Sequence, residues 1–209
     1  MDLTLVISFI TATIILAIMP GPDNIFVLTE SITKGHKNGI LISLGLSLGV
    51  VVHTTAAATG LSIIIQQSAL VFSIIKYAGA LYMLYLAFEA YQAKSMSVNI
   101  DESHEEAELR AFPLIRKGFL MNVLNPKVSL FFIAFLPQFV SKNGYHFSVQ
   151  MMILGLIFML ITIIIFSLIA LLSGRLTKYV NSPRFWTITK WSKIGVLSLL
   201  ALFLGFSDS

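Results

Sequence analysis

The sequence predicts an all-α integral membrane protein: six transmembrane helices forming two inverted three-helix repeats, with helices 1 and 4 broken at proline. Three observations lead there. The 209 residues are 56% hydrophobic and 11% charged, with a mean hydropathy of +0.87; soluble domains carry about twice that charged share. Lysine and arginine fall almost wholly to one side of the apolar segments. Two of those segments hold a proline beside a charged residue at matching depth.

The apolar segments run over Leu3–Thr29, Gly39–Ile65, Ala69–Tyr91, Gly118–Val140, Phe147–Ser173 and Trp191–Phe206. A span needs about 20 residues to cross a core of ~30 Å, so the last is short. The first is too long for a signal-peptide core and has only Asp2 before it, no basic stretch, so it is expected to be retained. Lys34 and Lys37 follow span 1. Lys94, Arg110, Arg116 and Lys117 lie between spans 3 and 4. Arg175, Lys178, Arg184, Lys190 and Lys193 lie between span 5 and the edge of span 6. That is eleven cations on one side against Lys142 alone on the other. The positive-inside rule then puts both termini outside. Trp186 and Trp191 fit an aromatic belt at the inner surface.

The chain is expected to be a single membrane domain, 1–209, in three parts: a first repeat over 1–93, a cytoplasmic linker over 94–115 and a second repeat over 116–209. The linker holds Asp101, Glu102, Glu105, Glu106 and Glu108 and reads as a solvated charge run. Three spans per half means that similar halves must be inverted. The likeness between them is faint: "GPDN" in span 1 against "NPKV" in span 4, and "KGHKNG" against "SKNG".

Depth strengthens it. Asp23 lies eleven residues before Lys34, and Lys127 ten residues after Lys117. At about 1.5 Å per residue both lie ~15–16 Å from the inner surface, near the midplane. An unpaired charge there costs roughly 2.5–3.5 kcal/mol, which pairing would reduce. Pro20, Gly21 and Pro22 free carbonyls near Ala17 and Ile18, and Pro126 does so near Asn122. Such groups survive at that depth only inside protein or against a watery cavity. The breaks therefore offer an acceptor (Asp23), a donor (Lys127), two amides (Asn24 and Asn125) and loose backbone groups. A zwitterion matches that inventory. A salt bridge that merely locks the halves matches it too.

The stretches "IMPGPDNIFVL", "GLSLGVVVHTTAAATGL", "KYAGALYMLYLAFEA" and "RKGFLMNVLNPKVSLFFIAFLPQFV" resemble the LysE/RhtB family of bacterial amino-acid exporters. The likeness runs in order through spans 1 to 4; after Val140 it is one of hydropathy and length. It implies a six-span carrier of the bacterial inner membrane that exports amino acids or close derivatives, an antiporter drawing on the proton motive force. The family's motif positions fall on Pro20, Gly21, Pro22 and Asp23, and on Asn125, Pro126 and Lys127.

The remaining polar residues carry less. Gly45, Gly49 and His53 share one face of span 2. The glycines suit close helix packing and are compatible with a homodimer. His53 suits a proton relay or a hydrogen bond to a neighbouring carbonyl. Lys76 and Glu89, near the ends of span 3, suit snorkelling. Pro137 suits a kink near the outer end of span 4. The sequence has no cysteine, and His36, His104 and His146 lack metal-site spacing, so neither metal nor cofactor is expected. Nothing points to nucleic acid; the partners expected are a small zwitterion, protons and lipid. An intramembrane enzyme would need a dyad or a nucleophile–base pair at depth, and Asp23 is the one midplane acid. A passive channel stays open as an alternative, although inverted halves around a broken midplane favour alternating access.

Overall fold

The computed structural model describes residues 1–61, 69–92, 110–141, 144–180 and 182–206. Among them every regular element is helical. The acidic run of the linker and Lys142 lie outside these residues. In chain order the helices are α1 (Leu3–Ile18), α2 (Pro22–Lys34), α3 (His36–Ala56), α4 (Ala69–Gln92), α5 (Ala111–Val123), α6 (Pro126–Leu130), α7 (Phe147–Leu171), α8 (Ser173–Val180) and α9 (Pro183–Phe206). A π-helical turn, Ala57–Leu61, extends α3. A second π-helical turn, Phe131–Phe135, and a 3-10 turn, Leu136–Phe139, continue α6.

Four helical stretches are long and apolar enough to cross a membrane: His36–Gly60, Leu70–Gln92, Phe147–Leu171 and Pro183–Phe206. Two bent pairs raise the number to six if each pair is one span. They are α1 with α2, bent by 55°, and α5 with the stretch Pro126–Phe139, bent by 51°.

Both bends sit where proline predicts them. Met19 still donates its N–H to Ile15 O at 2.9 Å, but Pro20 and Pro22 cannot continue the ladder. The helix restarts with Gly21 as N-cap and Pro22 in the first turn, where a missing N–H costs nothing. The second break repeats the device with Asn125 as N-cap and Pro126 behind it. Pro137 changes the helix type rather than the direction. Ahead of it the ladder slips to a π register, with Leu136 N donating to Phe131 O, and then tightens into the 3-10 turn.

Two span starts and one connection differ from the sequence reading. Span 4 begins at Ala111, inside the expected linker, because a proline such as Pro113 is tolerated in a helix's first turn. The last span begins at Pro183 rather than Trp191, so it has 24 residues and full length. The intervening basic stretch forms the short helix α8.

Packing is set by small residues. A Cβ on Gly45 would strike Ile115 O of α5, and one on Gly118 of α5 would strike Ile42 O of α3. A Cβ on Gly49 would sit 2.8 Å from the Asn122 side chain. The glycine face considered for a homodimer is therefore already filled by α5 of the same chain. α3 also packs on α7, α7 on α1 and α2, and α4 on α9. Lys76 is another departure: only 2% exposed, with its ammonium 4.9 Å from the Tyr77 ring, it is buried rather than snorkelling.

Candidate functional site

The two breaks lie against each other. Asn125 Nδ2 donates to Asp23 Oδ2 at 2.8 Å, a bond between residues 102 apart in sequence. The other end of the same amide caps its own helix, accepting from Lys127 N at 3.0 Å. Asn125 thus joins the second break to the carboxylate of the first. Asp23 is 3% exposed and Asn125 6%.

Lys127 reaches across the junction in the other direction. Its Nζ would lie 3.5 Å from a Cβ on Gly21, and it donates a long bond of 3.4 Å to Leu16 O. It does not close an ion pair with Asp23 among the described residues. Asn125 rather than Lys127 makes the direct contact with Asp23, which a count of charges could not foresee.

The freed backbone groups are answered by side chains. Asn24 Nδ2 donates to Ala17 O at 2.7 Å, the carbonyl expected to be released by the first break. Asn122 O receives Asn125 N at 2.9 Å and pairs with His53 Nε2 at 3.1 Å. His53 therefore sits at the second break, bonded to the carbonyl that Pro126 releases and stacked on Phe132 with centroids 5.8 Å apart. Three groups stay open. Gly21 gives α2 no side-chain cap, and Asn24 Oδ1 and Asn122 Oδ1 are buried without a hydrogen bond among the described residues.

Chemically, the site presents a carboxylate, an ammonium and the uncapped N-terminal end of a 13-residue helix within one junction. A helix N-terminus carries partial positive charge and suits anions. The junction can accept hydrogen bonds at the Asp23 carboxylate and donate them from Lys127 and from the first turn of α2, where Asp23 itself lies.

The LysE type translocator family profile matches residues 14–207, nearly the whole chain and both breaks. The chain belongs to the LysE type translocator family. An uncharacterized membrane protein of Bacillus subtilis is 31% identical over 86% of this chain and 88% of its own length. One from Vibrio cholerae is 27% identical, covering 90% of this chain and 89% of its own. The leucine efflux protein of Salmonella typhimurium is 26% identical over 96% and 91%. No solved structure matches. For this LysE family member, the matched range takes in both touching breaks, Pro20 to Asp23 and Asn125 to Lys127.

One buried acid of this translocator was missed in the sequence. Glu30, on α2 just past the apolar segment, has a side chain only 10% exposed. It pairs with Lys34 at 3.2 Å and with Lys117 of α5 at 3.7 Å. Its spacing of seven from Asp23 puts the two carboxylates on one helix face, and that spacing was the available signal.

Proposed function

We propose that this LysE family translocator exports amino acids or close derivatives from the cytoplasm by alternating access around the two helix breaks, driven by the proton motive force. The observation that carries the proposal is the Asp23–Asn125 bond, which joins two half-helix junctions at the depth where secondary carriers bind substrate. Asp23 takes the substrate ammonium. Lys127, with the free N–H groups at the start of α2, takes the carboxylate. Pro20, Gly21, Pro22 and Pro126 make the junction. Asn24, Asn125 and His53 hold its backbone groups, and Asp23 and His53 are the titratable groups through which protons can pass.

Six spans with both termini outside, in the bacterial inner membrane, complete the proposal. With the 55° bend, α1 and α2 together rise about 35 Å at ~1.5 Å per residue, enough for one span of a ~30 Å core. The packing supports two inverted repeats. α3 lies on the α5 segment of the second break, and α7 lies on α1 and α2 of the first. Exchanging the halves maps these contacts onto each other. The relatives named for leucine efflux make leucine the first substrate to test.

The test is efflux from proteoliposomes loaded with single amino acids, with an imposed pH gradient and no ATP. Saturable export that stops when an ionophore collapses the gradient is expected. Export unchanged by the ionophore would remove the proton coupling, and no saturable export of any amino acid would remove the substrate class.

A further inference from the structure

The basic end of the molecule holds a contact that the site itself does not use. α2 and α5 are the inner halves of the two broken segments, and Glu30 ties them together. Its Oε1 faces Lys117 Nζ at 3.7 Å. Lys117 in turn lies 4.1 Å over the ring of Phe26, one turn earlier on α2. Lys34 stands 3.2 Å from Oε2, yet Oε2 receives no hydrogen bond among the described residues. The carboxylate is thus held by charge between two ammonium groups, while the Lys117 side chain is 54% exposed.

The outer halves are closed by different chemistry. Phe9 of α1 packs on Phe131 at 6.0 Å, Phe139 at 5.3 Å and Phe158 at 6.5 Å between ring centroids. One end of the junction is sealed by aromatic rings, the other by an ion pair. Between them Asp23, Val27 and Glu30 follow one another along one face of α2, two turns from end to end.

We infer that Glu30 is the cytoplasmic entry station for a primary ammonium group, and that its ion pair with Lys117 is the inner gate. The inference rests on the export reading above. An incoming ammonium replaces Lys117 on Glu30, α2 and α5 part, and the ammonium passes two turns along α2 to Asp23. A substrate ammonium can take the place at Oε1 that Lys117 leaves, while Lys34 stays beside Oε2 on its own helix. The zwitterion's carboxylate follows toward Lys127.

Labelling tests the gate without reference to transport. The chain has no cysteine, and Val27 is fully buried between Glu30 and Asp23, so Val27→Cys supplies a single reporter thiol. In inside-out vesicles a membrane-impermeant maleimide should react slowly with it. Adding Lys117→Gln, which leaves Glu30 its Lys34 neighbour, should speed labelling at least tenfold. The swap of Glu30→Lys with Lys117→Glu should return the rate toward that of Val27→Cys alone. An unchanged rate in the Lys117→Gln background overturns the gate. The entry station is read separately: Glu30→Gln should raise the half-saturating substrate concentration for export at least tenfold, with Glu30→Asp in between. Faster labelling with unchanged half-saturation overturns the entry role. If the parent protein exports no amino acid, the transport reading has failed, and labelling alone decides the gate.

Discussion

Asn125→Ala is the most informative single change at the junction. It removes the donor that Asp23 Oδ2 receives at 2.8 Å and the acceptor that caps α6 at 3.0 Å. A hydrogen bond to a charged group contributes about 1.5–3 kcal/mol, and loss of an asparagine N-cap costs about 1 kcal/mol. The expected destabilisation is therefore about 2.5–4 kcal/mol. The two parts separate in a cycle with Asp23→Ala. In that background the carboxylate is gone, so Asn125→Ala should cost only the cap, about 1 kcal/mol. The coupling between the two sites should then be about 2 kcal/mol. The assay is reversible unfolding in mixed micelles titrated with denaturing detergent and followed by circular dichroism. A coupling below about 0.5 kcal/mol, the scatter of independent sites, would show that the breaks are not joined through Asn125.

Other substitutions test the frame around the site. Gly45→Ala forces a methyl against Ile115 O, a backbone atom that cannot turn aside, and should cost about 1–3 kcal/mol; Gly195→Ala, with open space around it, should be neutral in the same unfolding assay. His53→Gln can still donate to Asn122 O, so it should keep the fold where His53→Leu loses about 0.5–1.5 kcal/mol, the net worth of one hydrogen bond, since Asn125 N still serves that carbonyl. Gradient-driven export surviving in His53→Gln would rule out a proton relay through the imidazole. Reporter fusions at Ser209 and within residues 95–110 should report opposite sides of the membrane, with Ser209 outside; a cytoplasmic Ser209 would contradict the six-span arrangement.

Much of this was legible before any coordinates. A proline in an apolar run has few outcomes, so the breaks before Pro22 and Pro126 and the release of Ala17 O follow from covalent structure. Regular rise per residue brought Asp23 and Lys127 to one level. What depth cannot supply is azimuth. It could not tell that Asn125 rather than Lys127 would meet Asp23, that Lys76 would be buried, or that Gly45 and Gly49 would face α5 within the chain. Glu30 was hidden for another reason. A carboxylate beside Lys34 at the end of an apolar run looks like ordinary surface charge until Lys117 arrives from the other half of the sequence.

The central claim is that the junction binds substrate rather than merely bracing the halves. Export by the double variant Asp23→Asn with Lys127→Met tests it most directly, because it neutralises both ends while leaving Asn125 a partner at position 23. Removing the two charges together leaves neither as an uncompensated buried ion, so the variant should still fold. The account predicts a well-folded protein with no saturable amino-acid export from loaded proteoliposomes. Near-normal export from that well-folded variant would contradict it and place the substrate elsewhere in the molecule.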